Sequence, residues 1–142
     1  MGQVCYPLET LPKQYDVIWC LYPESGLTPG PVARPSLVLD VRVNKKENIG
    51  AVICTYGTGT FDQSHVGKDL IIPSNEFASL GLHKPTRFAL SLNSRMNFIW
   101  GPKYFVAPGY FKSTSIVAGS LSDEQIKRLL ACFANRRLQP YP

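Results

Sequence analysis

The chain has 142 residues, 44% of them hydrophobic and 18% charged, a balance that makes a folded globular domain and excludes a disordered chain. Fifteen Lys and Arg against ten Asp and Glu leave a net charge of +5 and a pI near 9.1, which favours acidic partners, nucleic acid among them, through long-range attraction. No stretch approaches the roughly 20 apolar residues of a bilayer-spanning helix, and Met1–Thr10 has no basic segment leading into an apolar core, so a cytoplasmic protein without membrane contact is expected.

Residues 1–13, with Leu11-Pro12 near their end, read as an N-terminal arm, extended or forming a short strand. Asp16 to Tyr22 is an apolar run of strand-forming residues stopped by Pro23. Pro23 to Pro35 is rich in Pro and Gly and reads as a loop. Ser36 to Val43 begins as a continuous apolar run and ends in alternation, which predicts a strand buried on both faces at its start and wet on one face later. A charged turn, Asn44 to Gly50, leads to a third strand, Ala51 to Tyr56, paired antiparallel with the second. Gly57-Thr58-Gly59-Thr60 breaks the pattern and reads as a turn. A short strand follows at Asp69 to Pro73, then one helical turn ending at Gly81, then strands at Arg87 to Leu92 and Asn97 to Trp100. Phe105 to Val117 reads as a short hairpin or loop.

The last element is a helix over 122–137. Ser122 and Gln125 fit a capping box, Leu121 and Ile126 a hydrophobic staple, and Ile126, Leu129, Leu130 and Phe133 make one apolar face. The sum is a single domain over 1–142, mainly β with one terminal helix. Pattern alone leaves an SH3-like barrel, an OB-fold and a small sandwich open.

Much chemistry is absent: there is no P-loop, no G-x-G-x-x-G after a strand, no H-E-x-x-H and no G-x-S-x-G. Cys5, Cys20, Cys54 and Cys132 lie far apart, without a C-x-x-C pair or a His at zinc-ligand spacing, so they read as reduced structural thiols, with no metal or cofactor expected. His65 and His83 could form an acid–base pair, but nothing in their spacing ties them together. Arg34 stands out. It sits at the mouth of an apolar strand with prolines at 31 and 35, and a residue before proline is held extended. So held, a guanidinium is either a preorganised fork for phosphate or carboxylate, or an ordinary strand-end arginine.

The lead-in Asp16-Val17-Ile18-Trp19, the pair Tyr22-Pro23, the Gly/Pro loop and Arg34-Pro35-Ser36-Leu37-Val38-Leu39 together resemble the PemK/MazF family of toxin proteins. Its members show a G-D-x-[VI]-W strand, a flexible loop and R-P-[AS]-[LV]-V-[LIV]. Val52-Ile53-Cys54-Thr55 resembles the strand that carries the family's active-site threonine, and Gly119-Ser120-Leu121 its lead-in to the last helix. The chain departs from the pattern at Tyr15, where the family has Gly, in the composition of the loop, and at Tyr56, where a second threonine is common.

The resemblance implies an SH3-like barrel of five to seven strands, a homodimer, and a metal-independent endoribonuclease acting on single-stranded RNA and neutralised by an acidic antitoxin protein. It makes Arg34 the catalytic arginine and Thr55 its partner. Cleavage would use the 2′-hydroxyl as nucleophile, with the arginine neutralising charge on a pentacoordinate phosphorane. Tyr56, Lys45, Lys46, Lys84 and Arg87 are the expected RNA contacts, with Lys68, Arg95 and Lys103 as further cations and Phe61 or Trp100 as further stacking platforms. Two other readings remain: a non-catalytic barrel of the same fold that binds nucleic acid or a protein, and an unrelated small β interaction module.

Overall fold

Two runs of β-branched and aliphatic residues make the spine of this molecule, a computed structural model that describes residues 4–108 and 115–141. Strand β2 (Arg34–Asn44) and strand β3 (Ile49–Thr58) form a long antiparallel hairpin. Strand β1 (Asp16–Cys20) pairs with the first half of β2, placing Cys20 opposite Arg34 and Val17 opposite Leu37. Beyond the hairpin come β4 (Leu70–Ile72), β5 (Thr86–Phe88), β6 (Arg95–Ile99), β7 (Val117–Ser120) and one helix, α1 (Asp123–Asn135). All strand pairings are antiparallel, in the order β4-β5-β3-β2-β1-β7 with β6 also on β3.

The free edge of β3 is shared. β6 takes Ala51 to Thr55, and β5 takes Gly57 and Thr58. One strand serving two neighbours along the same edge bends the sheet there. A bulge adds to the bend: Val38 pairs with Cys54 but Asp40 pairs with Ile53, leaving Leu39 as the extra residue, and a bulge increases local twist. The result is a curled half-barrel with a C-terminal helix, the small barrel that the strand pattern predicts.

Both faces of the curled sheet are dry near its centre. Leu37, Leu39 and Ile53 point into one cluster with Leu70, Ile72, Phe88, Leu129 and Phe133, which α1 covers. Ile18, Cys20, Val38, Val52 and Cys54 point into a second, built on Phe98, Trp100, Tyr104 and Phe105. Hence all five residues of β1 are buried, and β2 runs from buried at Ser36–Leu39 to exposed at its tip. Phe98 stacks on Tyr104 at 3.9 Å between ring centroids. The arm packs on this second cluster through Tyr6 and Leu11, and the Tyr6 N–H donates to the Trp100 carbonyl at 3.0 Å.

Several elements differ from the sequence reading. β3 runs two residues further, through Gly57 to Thr58. The strand expected at Arg87–Leu92 is only Thr86–Phe88, followed by a 3-10 turn at Leu92–Ser94. The helical turn before Gly81 is two 3-10 turns, Ser74–Glu76 and Ala78–Leu80. Of the expected Phe105–Val117 hairpin, residues 109–114 lie outside the described ones, and its last residue begins β7. The helix starts as expected, with Ser122 accepting from the Gln125 N–H at 3.2 Å and Gln125 Oε1 accepting from the Ser122 N–H at 2.8 Å.

Two contacts close the shell. β7 lies so close to the Ala78–Leu80 turn that a Cβ on Gly119 would stand 2.0 Å from the Ser79 carbonyl oxygen. Opposite, the Asp69 carboxylate is buried and accepts from Arg87 Nη1 at 2.7 Å, Arg136 Nη2 at 2.6 Å and the Leu90 N–H at 3.0 Å. It joins β5 and the end of α1 to the segment before β4. Burial pushes the Asp69 carboxyl up, but the two guanidinium groups and the amide outweigh it and hold it below the usual carboxylate range.

A group held below its unfolded pKa contributes stability above that value and loses it as pH falls through the folded one. Acid unfolding should therefore set in below about pH 4. Asp69→Asn should cost about 3–5 kcal/mol at pH 7, because it leaves two part-buried guanidinium groups without their counter-charge. The difference between variant and wild type should shrink as the pH is lowered, which urea titrations at pH 7 and pH 3 measure. Gly119→Ala should lower stability by about 1–3 kcal/mol through overpacking, read in the same titration.

Candidate functional site

The loop between β1 and β2 is pinned at both ends. The Gly30 N–H donates to the Leu21 carbonyl at 3.0 Å, the Leu21 N–H donates to the Tyr104 carbonyl at 2.6 Å, and the Tyr104 hydroxyl donates to the Leu27 carbonyl. This folds Pro23–Pro29 back over the start of β2, where Glu24 Oε1 accepts from Arg34 Nη2 at 3.4 Å. Both side chains are exposed, 47% for Arg34 and 60% for Glu24, so this pair is a solvent-screened clasp that a competing anion can open.

Arg34 stands on the ridge between two cavities. One, of about 250 Å³, is lined by Tyr22, Pro23, Glu24, Arg34, Tyr56, Gly57 and Thr58. The other, of about 380 Å³, lies beyond the ends of β2 and β3 and reaches Trp19, Leu82, His83, Lys84 and Thr86. Arg34, Gly57 and Thr58 line both. Ser36 pairs with Tyr56, and the same register continued by two residues sets Arg34 opposite Thr58. Directly opposed residues of an antiparallel pair share a face, so the guanidinium and the Thr58 hydroxyl belong to one surface. Gly57 permits the close packing beneath them, since a Cβ there would meet Phe88 Cε1 at 2.8 Å and the Pro35 oxygen at 2.9 Å.

Thr55 lies elsewhere. It pairs with Leu37, three positions further along β2, and is fully buried. Its hydroxyl donates to the Ala89 carbonyl at 2.6 Å and sits 3.0 Å from Ser94 Oγ. It lines neither cavity, and its bonds tie β3 to the segment after β5. The other sequence-chosen residues divide as follows. Tyr56 lines the smaller cavity and Lys84 the larger. Arg87 lines neither, its guanidinium being spent on Asp69 and, at 3.2 Å, the Thr60 carbonyl. Lys45 and Lys46 are exposed at the hairpin tip, past Asn44, the far end of β2, about 30 Å from Arg34 at the rise of a strand. His65 Nδ1 accepts from the Asp62 N–H at 3.0 Å in its own turn, so only His83 shares a cavity with Arg34.

Three members of the site were missed in the sequence: Thr58, Glu24 and Tyr22. Gly57 and Gly59 disguised the end of β3 as a turn, and so hid Thr58. Counting back along the hairpin from its turn would set Arg34 against Gly59, and only the bulge at Leu39 moves the register on to Thr58. Glu24 lies ten residues from Arg34 in a loop whose closure depends on Tyr104, which no local pattern shows. Tyr22 donates its hydroxyl to the Ser94 carbonyl and packs edge-on to Tyr56 at 5.3 Å. Burial, aided by the neighbouring Cys54, Tyr56 and Cys20, pushes its phenol well up, so it stays protonated and acts only as a donor and a wall.

The site therefore offers a cation, a carboxylate, a hydroxyl and two aromatic rings, a set suited to phosphate chemistry. Among the described residues no cluster of His, Cys, Asp and Glu gathers as metal ligands would, and no helix is long and apolar enough to cross a membrane. The two threonines should separate in experiment. Thr55→Val should cost about 1 kcal/mol by chemical denaturation, having lost a buried hydrogen bond. Thr58→Val should change stability by less than about 0.5 kcal/mol. Compared with known proteins, the chain matches no family model, no curated protein and no solved structure.

Proposed function

We propose that the chain is a metal-independent endoribonuclease of the PemK/MazF kind, cutting single-stranded RNA at Arg34. The observation that carries this reading is the meeting of Arg34, Glu24 and Thr58 at one cavity, with the guanidinium preset by Pro35 and by the β1 pairing. A second observation supports it. Tyr15, where the family has Gly, takes φ 72°, the left-handed backbone that favours glycine.

In this reading the scissile phosphate displaces Glu24 from Arg34. The Glu24 carboxylate takes the proton of the 2′-hydroxyl, and O2′ forms its bond to phosphorus. Arg34 and the Thr58 hydroxyl donate to the non-bridging oxygens as negative charge builds there. The P–O5′ bond breaks, and the departing oxygen takes a proton from water. The resulting hydroxide recovers the proton held by Glu24, so none is consumed. The products are a 2′,3′-cyclic phosphate and a 5′-hydroxyl. A homodimer and an acidic antitoxin belong to the same proposal, and the excess of basic residues supports the second of these. An acidic segment would be drawn to the cations that RNA uses.

The test is cleavage of single-stranded RNA in EDTA. Wild type should cut, Arg34→Ala should slow cutting by at least about 10²-fold, and Glu24→Gln by about 10²- to 10⁴-fold. Thermal melting should be nearly unchanged in Arg34→Ala, because about half of the side chain is in water and its ion pair with Glu24 is solvent-screened. Full activity in a folded Arg34→Ala protein removes the proposal. Salt-sensitive RNA binding without cleavage replaces it with the non-catalytic barrel.

A further inference from the structure

The larger cavity has a composition that phosphate chemistry at Arg34 does not need. At about 380 Å³ it exceeds the space around the Glu24–Arg34 clasp, and it lies on the other side of the ridge. Its polar rim holds Arg34, His83 and Lys84, and among the described residues no Asp or Glu lines it. Its walls are apolar, with Trp19, Val32 and Leu82. Lys84 is laid across its floor: Cε and Nζ stand 3.2 and 3.4 Å from where a side chain on Gly59 would begin. The place a side chain on Gly59 would take is thus filled by the end of Lys84, which packs directly on the backbone there.

We infer that this cavity is a binding subsite for one nucleotide of the RNA strand, next to the phosphate cut at Arg34, with Lys84 on its phosphate and its ring against the apolar wall. The inference rests on the endoribonuclease reading for the identity of the strand. Charge decides the class of ligand. A cavity rimmed by cations and lacking any carboxylate selects an anion, and a bare inorganic anion would not use the apolar wall. Small-molecule sites run from about 300 to 1,000 Å³, so this volume suits a single nucleotide rather than several. Arg34, shared by both cavities, sets the spacing between the subsite and the cut. Lys84 is a positioning residue here: it holds the strand and takes no proton.

Adenosine 5′-monophosphate is the probe, with orthophosphate as the comparison. Amide shifts in NMR titration should concentrate at Gly59, Leu82, Lys84 and Thr86, with quenching of Trp19 fluorescence. Lys84→Ala should weaken AMP binding about tenfold, the effect of one charge-assisted hydrogen bond. Val32→Asp, a change at a residue 45% exposed, should abolish binding by placing a carboxylate in the cavity while leaving the fold intact. AMP should inhibit RNA cleavage competitively, and Lys84→Ala should raise KM about tenfold with kcat nearly unchanged.

Wild-type AMP affinity in Lys84→Ala, shifts on another face, orthophosphate binding as tight as AMP, or non-competitive inhibition would each overturn the subsite. Any of these with cleavage retained leaves the endoribonuclease reading standing. AMP seated in the cavity of a protein that cuts no RNA removes that reading, and with it the assignment of the subsite to a strand.

Discussion

The pairing of β2 with β3 is the constraint on which the rest depends. Its register, continued two residues beyond the Ser36–Tyr56 pair, puts Arg34 opposite Thr58 at one end and a charged tip at the other, some 30 Å away at the rise of a strand. Along its length the same pairing sorts alternate residues into two separate cores, with Leu37 and Ile53 on one side and Val38 and Cys54 on the other. A slip of one residue would exchange these sets and turn Thr55 toward the ridge. Two dry faces make that slip costly, because each side would then receive residues shaped for the other. The polar site at the end of the hairpin is thus held in place by apolar packing at its middle.

β5 and β6 divide the outer edge of β3 and bend the sheet around the first core, which α1 then covers. Closure needs polar contacts as well. Asp69 draws Arg87 and Arg136 onto one buried carboxylate, joining β5 to the last residues of the helix. This knot takes Arg87 out of the pool of surface cations. The basic character of the chain is therefore a poor map of where an anion would bind. Of the seven cations that the sequence offers for RNA contact, Lys84 alone lines a cavity beside Arg34; Arg87 is spent on Asp69, and Lys45 and Lys46 lie at the hairpin tip.

What could be read from sequence was what short range determines. The Ser122–Gln125 cap involves residues close in the chain and stands as expected. The strand at Asp16 ends at Cys20 rather than Tyr22. Of the face expected on α1, Leu129 and Phe133 are buried, while Leu130 is exposed and Cys132 is buried instead. The hairpin was legible as a pairing but not to its end, because Gly57 mimics a turn while serving close packing against Phe88. The strand read from sequence therefore stops short of Thr58, which lines both cavities beside Arg34. β7 was hidden because its four residues are held by β1 and by the approach of Gly119 to Ser79, not by their own pattern. Asp69 and Glu24 were illegible for a related reason: their partners are 18 or 67 residues away in one case, and set by a folded loop in the other.

The bulge at Leu39 has an effect beyond curvature. By letting one residue of β2 go unmatched, it separates the hairpin into two lengths with independent phase. The stretch from Arg34 to Val38 is locked by β1 and both cores, whereas beyond the bulge only β3 pairs with β2 and Arg42 to Asn44 are exposed. Residues could be gained or lost at the tip without disturbing the alignment near Arg34. The tip is thus the part of the barrel best able to vary in length, and a lineage could use it to acquire or lose a contact while the alignment at the Arg34 end stayed fixed.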